Sequence, residues 1–332
     1  MRRFLPKFLT VFAAILGPLS YYCYFVRPSV SGDIGRLGQI PFGKEYQELN
    51  APDYDRSAIN SGIVKHVSDT DSISIYPVLT IGDSFSQFYK LGYQWKLSSL
   101  LEECIGNFKI DETSPLQVFV SLANSGHFDE NQIIIVECVE RALTKRLKEI
   151  DWGIDFESLP LKFSPEEDKN DVLKDFFLWL IIQFHYKQPI SQYPLTQDCF
   201  THPKYSKTLH VYNPDLEWAK YSGSDFDEAT RNLALLFSFA QKKRLKLFVL
   251  IAPDKYDVYE PWISEAHDPN PTLSYYPDKA SLINPAKVLR DSIGRGVKDI
   301  YSICDTHWSV RGADMIAGIV FDRINESCTR TP

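Results

Sequence analysis

Short apolar runs that end at polar turns are the feature that most constrains the fold of this chain. Four such runs are residues 75–81 (IYPVLTI), 116–122 (LQVFVSL), 132–136 (QIIIV) and 245–251 (LKLFVLI). Continuous apolar runs of this length, bounded by turn residues, indicate strands that are buried on both faces of a sheet. Helix-compatible segments follow two of them, at residues 89–103 and 137–150. A chain in which strands alternate with helices is expected to form an α/β domain with a mostly parallel sheet.

Polar clusters mark the points where the predicted strands end. Four of them are residues 82–86, 124–126, 137–141 and 254–255, and a fifth, residues 305–308, precedes the last predicted helix. Ligands of parallel sheets bind at the carboxyl ends of the strands. The shared placement of these clusters therefore predicts a single active site at one edge of the sheet.

The N-terminus carries positive charge ahead of an uncharged apolar segment. Arg2, Arg3 and Lys7 precede residues 8–26 (FLTVFAAILGPLSYYCYFV), whose nineteen residues include no charged side chain. A helix of this length nearly spans a hydrocarbon core of ~30 Å. The basic flank predicts a cytoplasmic N-terminus, so residues 1–27 are interpreted as a membrane anchor that leaves the rest of the chain on the periplasmic side. A cleaved signal peptide is the alternative, although no A-x-A site follows the segment.

Composition narrows the classes of function. The 332 residues include 44% hydrophobic and 24% charged side chains, a balance that excludes a disordered chain or a coiled coil. The formal net charge of -7 offers no overall attraction to phosphate backbones, so no nucleic-acid partner is expected. The six cysteines form no C-x-x-C pair and no Cys/His cluster with zinc-site spacing. We interpret them as structural and predict neither a metal nor a cofactor.

Beyond the anchor, the chain divides by composition. Residues 28–74 are rich in Gly, Pro, Asp and Ser and are interpreted as a loop-rich lead-in to the main domain, residues 75–332. Residues 151–240 interrupt the alternation of strands and helices and are interpreted as an insertion. Within the insertion, residues 171–183 (DVLKDFFLWLIIQ) predict a helix packed on the core, with a lid or a membrane-surface contact as the alternative. Residues 184–222 predict loop.

Two motifs combine the residue types of a serine nucleophile and its base. Ser84 follows Gly82 and Asp83 at a predicted strand-to-helix turn, where free helical N–H groups suit a developing oxyanion. Asp305 and His307 form a D-x-H pair near the other end of the chain. In a triad, Ser84 would be the nucleophile, His307 the general base and then acid, and Asp305 the carboxylate that orients the imidazole. A tight turn and a surface histidine are the alternatives for the separate motifs, but together the motifs favour catalysis.

The residues around both motifs resemble those of a known superfamily. Residues 80–86 (TIGDSFS) are similar to the first block of SGNH (GDSL-type) hydrolases, and residues 305–308 (DTHW), with Gly312 four residues on, to the D-x-H-W signature of their alginate O-acetyltransferase branch. Residues 135–143 (IVECVERAL) and 251–259 (IAPDKYDVY) also resemble segments of that branch. The D-x-H-W segment follows the serine block, as in ordinary SGNH hydrolases, whereas in the alginate proteins it precedes the block. The resemblance implies a three-layer α/β/α, flavodoxin-like domain with a mostly parallel sheet.

The same resemblance suggests where the oxyanion would bind. Residues 124–126 (NSG) are similar to the second SGNH block, so the N–H groups of Ser84 and Gly126 and the side chain of Asn124 are the implied donors. The asparagine of the usual third block is absent, and Glu137 and Cys138 occupy the corresponding strand end. The oxyanion hole is therefore only partly assigned.

Three further side chains are candidates for substrate contact. Arg141 and Lys255 would suit an anionic sugar, and a solvated or structural cation is the alternative for each. Trp308 either packs beside the histidine or stacks on a sugar ring, and packing is the favoured interpretation.

These motifs leave three interpretations of function. The first is an O-acyltransferase, with acetyl as the expected group, that modifies hydroxyls of a cell-envelope or secreted polysaccharide through a serine acyl-enzyme. For this case the resemblance implies a membrane-bound O-acyltransferase partner that supplies the acyl group. The second is a carbohydrate O-acetylesterase, in which water replaces the sugar hydroxyl as acceptor. The third is a catalytically inactive SGNH-like module that binds glycans or scaffolds a complex.

Overall fold

The central feature of the fold is a six-stranded parallel sheet. The computed structural model describes residues 13–14, 16–26, 32–38, 40–43, 64–67, 73–86, 92–109, 113–159, 176–177, 180, 190–265 and 270–329. Its strands are, in chain order, β1 (Val64–Val67), β2 (Val78–Gly82), β3 (Ile105–Lys109), β4 (Ile133–Val139), β5 (Ile190–Pro194), β6 (Thr208–Tyr212), β7 (Lys246–Ala252) and β8 (Leu282–Ile283). Strands β5 and β6 form a separate antiparallel hairpin. The predicted α/β class with a mostly parallel sheet is confirmed.

The strand order shows where the winding of the sheet reverses direction. The order across the sheet is β1-β3-β2-β4-β7-β8. From β2 the chain goes first to β3 on one side, and later strands are added on the other side, beginning with β4. A crevice forms at the carboxyl ends of the two strands where the winding reverses. In this chain those strands are β2 and β4, so the crevice lies directly beyond Gly82 and Val139.

Helices cover both faces of the sheet. In chain order they are α1 (Gly32–Gly38), α2 (Tyr93–Leu101), α3 (Pro115–Asn124), α4 (Glu140–Lys148), α5 (Gly223–Lys242), α6 (Lys255–Tyr259), α7 (Thr272–Tyr275), α8 (Ala286–Gly294) and α9 (Val310–Thr329). Helices α2, α8 and α9 pack on one face, and α3, α4 and α5 pack on the other. Side chains along β4 alternate between the two layers: Ile134 and Val136 contact one core, and Ile135 and Val139 contact the other. The two cores hold the sheet between them and fix the strand ends that carry the polar clusters.

Residues 116–122 do not form the predicted strand. They lie in α3, which begins with Pro115 after Ser114, a sequence typical of a helix start. The apolar run misled the prediction because α3 is buried on nearly every side, with Leu116, Val118 and Phe119 all fully enclosed. A helix that is buried all round has no polar stripe, so its sequence cannot be told from a buried strand by periodicity.

The lead-in is part of the domain. Strand β1 pairs with β3 as an edge strand of the sheet, and α1 packs against the segment before α9, where the N–H of Gly35 donates to the carbonyl of Cys304 at 3.0 Å. Ile34 and Phe42 are fully buried. The loop-rich interpretation of residues 28–74 is therefore wrong for these described parts, because isolated apolar residues among Gly and Asp give no periodic signal.

Strand β3 is a further element that the sequence analysis missed. Its sequence, IGNFK, holds a glycine and an asparagine, which are depleted in strands. The structure supplies the reason for the glycine: a Cβ at Gly106 would lie 2.7 Å from the Tyr76 ring. Close packing on the sheet, which local propensity does not register, selects the small residue here.

The insertion is shorter than the predicted residues 151–240, because its last part belongs to the main helix layer. Residues 223–242 form α5, which belongs to the helix layer beside α4 and β7, and its capping box uses Ser222 and Asp225. Residues 184–222 contain the β5–β6 hairpin, so they are not loop alone. Of the helix predicted over residues 171–183, only residues 176, 177 and 180 are described, and they are helical. The rest of that prediction lies outside the described residues.

The N-terminal segment is described only in part. Residues 13–14 and 16–26 are helical, and the Tyr22 ring lies 5.6 Å from that of Phe176. Within the described residues, no helix combines the length and apolarity needed to cross a membrane. Because residues 1–12 and 15 lie outside the description, the anchor stays a prediction. None of the six cysteines takes part in a disulfide.

Candidate active site

The fold brings the two ends of the chain together at the carboxyl edge of the sheet. Ser84 follows β2, and Asp305 and His307 lie in the loop before α9. The Ser84 Oγ lies 2.8 Å from His307 Nε2, and His307 Nδ1 lies 2.5 Å from Asp305 Oδ1. These two contacts have the connectivity of a serine nucleophile, a histidine base and an orienting carboxylate. Of the predicted site residues, this trio is brought together as the motifs predict.

The turn that presents Ser84 is built from its neighbours. A Cβ at Gly82 would lie 2.7 Å from Glu137 Oε2, so the position admits only glycine without a shift. Asp83 accepts the N–H of Val139 at 2.8 Å and the guanidinium of Arg146, which ties the turn to the end of β4. Asp83 therefore shapes the turn and leaves the exposed Ser84 hydroxyl to His307.

A buried polar layer supports the turn from below. The carbonyl of Ser86 accepts hydrogen bonds from Gln94 Nε2 at 2.9 Å and Asn107 Nδ2 at 3.1 Å, and Thr80 Oγ1 donates to Asn107 Oδ1 at 2.7 Å. Glu137 is fully buried beside this layer. Burial, followed by the nearby charge of Asp83, raises the pKa of Glu137 well above its usual range. Burial at this position therefore opposes ionisation of the Glu137 side chain.

Lys255 holds the D-x-H loop and does not face the crevice as a free cation. Its Nζ donates to the carbonyls of Ser302 at 2.8 Å and of Ile303 and Asp305, each at 3.2 Å. The side chain is 1% exposed, and burial lowers the pKa of Lys255 to about 8. The substrate-contact interpretation of Lys255 is therefore wrong, because its three donors are used by the backbone of the loop.

Trp308 also has a packing role. Its Nε1 donates to the Tyr301 hydroxyl at 2.9 Å, and its ring centroid lies 4.7 Å from that of Phe85. The Phe85 ring in turn lies 4.7 Å from His307. Since Trp308 is buried, no face is left for a sugar ring, and the structure agrees with the favoured interpretation, in which Trp308 packs beside the histidine.

Arg141 lies at the carboxyl edge but is bound by acidic side chains. Its guanidinium contacts Asp254 and lies 3.3 Å from Asp215 Oδ1. Although burial opposes the charge, these two carboxylates raise the pKa of Arg141. Burial raises the pKa of Asp215 to about 7, despite the opposing charge of Arg141. The cation that was predicted to suit an anionic sugar is already matched by its own carboxylates.

The predicted oxyanion donors Asn124 and Gly126 lie at the wrong end of the sheet. Helix α3 returns from the carboxyl end of β3 to the amino end of β4, where the Ile133 N–H donates to the Pro77 carbonyl before β2. Asn124 Nδ2 donates to the carbonyls of Trp152 at 2.9 Å and Ile154 at 3.3 Å. The prediction rested on the resemblance of residues 124–126 to the second SGNH block and on reading residues 116–122 as a strand, whereas the structure has a helix there. Only the Ser84 N–H of the predicted set remains near the nucleophile.

Electrostatics favour a charged histidine paired with an ionised aspartate. Although burial alone would favour the neutral acid, hydrogen bonds from His307 lower the pKa of Asp305 to about 2. Burial opposes the imidazolium, but the hydrogen bond and charge of Asp305 raise the pKa of His307. The pair therefore stabilises the imidazolium that forms when Ser84 gives up its proton.

Asp33 is a site residue that the sequence analysis missed. It lies in α1, and it accepts the N–H of Thr306 at 2.7 Å and the Thr306 hydroxyl at 2.5 Å. Its Oδ2 is 3.9 Å from His307 Nδ1. Burial, followed by the charge of Asp305, raises the pKa of Asp33 to about 6. No local signal marks this residue, because a G-D pair in a loop-like segment is common.

Within the part of the chain that the structure describes, two groups of side chains are close enough to ligate a metal. One consists of Asp33, Asp305 and His307, in which both carboxylates already lie close to the imidazole, as described above. The other consists of three buried carboxylates, Glu140, Asp254 and Asp257, with ligand atoms within 4.8 Å of one another. Burial, followed by the charge of Asp254, raises the pKa of Asp257 to about 8.

Comparison with known proteins adds no assignment. No family model, curated protein or solved structure matches the chain. The resemblance to SGNH hydrolases therefore stays a prediction carried by residues 80–86 and 305–308.

Proposed function

We propose that this chain is a serine O-acyltransferase, with acetyl as the expected group, acting on hydroxyls of a cell-envelope or secreted polysaccharide. The observation that carries the acyl-transfer chemistry is the contact of Ser84 with His307, at 2.8 Å, and of His307 with Asp305. These three residues lie at the crevice between β2 and β4, which is where parallel sheets bind ligands. The SGNH-like motifs and the predicted anchor support the polysaccharide acceptor and the periplasmic location.

The geometry implies a two-step reaction through a covalent intermediate. Ser84 Oγ attacks the acyl carbonyl while His307 Nε2 takes its proton, and the tetrahedral intermediate collapses as His307 protonates the leaving oxygen. The acyl-enzyme is then attacked by an acceptor hydroxyl, which gives its proton to His307 and receives the acyl group. Ser84 regains the proton at the end. Asp305 keeps Nδ1 protonated throughout, so that Nε2 is free to act as the base.

An O-acetylesterase is the second candidate, and one observation favours it. The Ser84 residue is exposed, which lets water reach the acyl-enzyme. Transferase and esterase share the first step and differ only in the acceptor. Incubation with an activated acetyl ester, with and without oligosaccharide, separates them: acetate release that ignores the sugar supports the esterase, and an acetylated sugar supports the transferase. A complete triad argues against the inactive-module interpretation.

The proposed reaction also requires a donor of the acyl group. Acetyl-CoA is a cytoplasmic donor, so an extracytoplasmic transferase needs an acyl group delivered across the membrane. A membrane-bound O-acyltransferase partner would supply it, as the resemblance implies. The same extracytoplasmic placement would bring the anchored chain close to that partner.

The direct test is to trap the acyl group on Ser84. After brief incubation with 4-nitrophenyl acetate and an acid quench, we expect one acetyl group on the peptide that contains Ser84, detected by mass spectrometry. Ser84→Ala should lose the adduct, whereas Ser224→Ala, at an exposed position in α5, should keep it. An adduct on any other residue, or none under conditions in which the ester is turned over, would contradict the proposal.

The pH dependence of kcat/KM gives a second test. The reaction needs neutral His307, and Asp305 raises the pKa of that imidazole. The acidic limb should therefore lie above the ordinary histidine value of ~6.5, with activity rising as the pH increases through it. A profile that is flat between about pH 5 and 8 would show that His307 is not the base.

A further inference from the structure

Helix α1 reaches the catalytic loop through a tight backbone contact. A Cβ at Gly32 would lie 2.7 Å from the carbonyl carbon of Cys304, and Gly32 has a φ of +69°, a conformation that favours glycine. Three residues on, the N–H of Gly35 donates to the Cys304 carbonyl. Ile34, between these glycines, is fully buried. These contacts place the intervening Asp33 at a defined position beside the D-x-H turn.

The Asp33 carboxylate binds the D-x-H turn through Thr306, whereas Lys255 binds carbonyl groups of the same loop. The carboxylate accepts both the N–H and the hydroxyl of Thr306, the residue between Asp305 and His307. In the reverse direction, the Asp33 N–H donates to Asp305 Oδ2 at 3.3 Å. Asp305 Oδ1 is left for His307. One residue of α1 therefore bonds to two of the three residues of the catalytic loop.

We infer that Asp33 is a positioning residue for the catalytic histidine: a second carboxylate, contributed by the lead-in, that fixes the Asp305–His307 turn and adds negative charge beside Nδ1. This inference rests on the proposed acyl-transfer function and extends the site from three residues to four. The lead-in is then part of the catalytic unit. A triad carboxylate orients the imidazole by direct contact. Asp33 instead acts through its hydrogen bonds to Thr306 and Asp305, and its charge acts through space, over the 3.9 Å between Asp33 Oδ2 and His307 Nδ1.

The charge of Asp33 acts on His307 within a defined set of neighbours. The charged groups whose fields reach these two side chains are Asp305, Asp215, Arg141 and Lys255. Asp33 and Asp305 raise the pKa of His307, and Arg141 lowers it. Because the pKa of Asp33 is about 6, its charge develops in the pH range in which a histidine loses its own. Asp33 therefore raises the pKa of His307 in the pH range in which activity is expected to increase.

The test compares Asp33→Asn with the wild type. The amide keeps the shape of Asp33, with its oxygen accepting the Thr306 N–H and its nitrogen donating to the Thr306 hydroxyl, but the charge is lost. Titration of the His307 ring protons by NMR should show its pKa lowered by about one unit in Asp33→Asn, the order expected for loss of a carboxylate at this range. Asp227→Asn, at an exposed carboxyl in α5, should leave the His307 titration unchanged.

Activity measurements separate this inference from the proposed function. In Asp33→Asn, the acidic limb of kcat/KM for 4-nitrophenyl acetate should move to lower pH with the His307 pKa. In Asp33→Ala, which also removes the Thr306 contacts, kcat at the optimum should fall by about tenfold or more. An unshifted His307 titration in Asp33→Asn would overturn the inference even if Ser84 is acetylated. A shifted titration without acetylation of Ser84 in the wild type would support the electrostatic coupling and refute the acyl-transfer function.

Discussion

Replacing His307 with alanine should lower the rate of Ser84 acetylation by about 10⁴-fold or more, the range seen when the base of a serine triad is removed. Among the described residues, His307 is the base that lies within hydrogen-bonding distance of the Ser84 hydroxyl, so its removal leaves that proton without an acceptor there. The fold should survive, because His307 contributes a partly exposed ring and its backbone contacts remain. The measurement is the pre-steady-state rate of acetyl transfer from 4-nitrophenyl acetate, together with the melting temperature of the variant.

Two controls make the His307 result specific. His127→Ala changes a histidine beyond α3, near the amino edge of the sheet, and should leave the acylation rate unchanged. In the double variant Ser84→Ala, His307→Ala, the residual hydrolysis of 4-nitrophenyl acetate should be no slower than in Ser84→Ala alone, because the effects of residues that act as a unit are not additive. Additive losses, or near-normal acylation in His307→Ala, would show that the contact between the two side chains is not used in catalysis.

Replacing Lys255 with methionine should destabilise the protein and disorganise the catalytic loop. The substitution leaves three buried carbonyl groups, those of Ser302, Ile303 and Asp305, without the donors that now satisfy them. We expect the free energy of unfolding to fall by about 3 kcal/mol or more, since each orphaned buried acceptor carries a desolvation penalty. Chemical denaturation followed by fluorescence measures this change.

A functional readout distinguishes the structural role of Lys255 from substrate contact. At a temperature where the Lys255→Met variant is still folded, kcat should fall because Asp305 and His307 are no longer held in place. Lys207→Met, at an exposed position in the turn before β6, should change neither stability nor kcat. If Lys255→Met instead keeps full stability and raises KM alone, Lys255 contacts substrate and the structural interpretation is wrong.

The catalytic trio was predictable because each motif carries its own local signal. Gly82 marks the turn at the end of an apolar run, and Asp305 and His307 are two residues apart, so their contact needs little tertiary help. The parallel sheet was predicted from apolar runs that alternate with helix-compatible segments, although one of the four runs, residues 116–122, forms a helix. The approach of Ser84 to His307, which lie far apart in sequence, was predicted because both motifs were placed at the ends of strands or helices.

The failed predictions share a physical cause. Lys255 and Arg141 have residue types that suit substrate contact, but the direction of a side chain depends on neighbours distant in sequence. Lys255 points at loop carbonyls 47 to 50 residues away, and Arg141 pairs with Asp254, 113 residues away. Asn124 was misplaced for a related reason, because burial on all sides made a helix resemble a strand.

The amino-acid sequence by itself predicted the class of fold and the contact of Ser84 with His307 and Asp305, which we propose to be the nucleophile, the base and the orienting acid. Local propensity and short motifs were enough for these predictions, because each signal comes from residues that are neighbours along the chain. Only the tertiary structure decided that the lead-in contributes Asp33 and that Lys255 anchors the loop. It also decided that the NSG segment lies at the opposite edge. Each of these depends on burial and long-range packing, which set where a polar side chain finds its partner and are not encoded in any short stretch of residues.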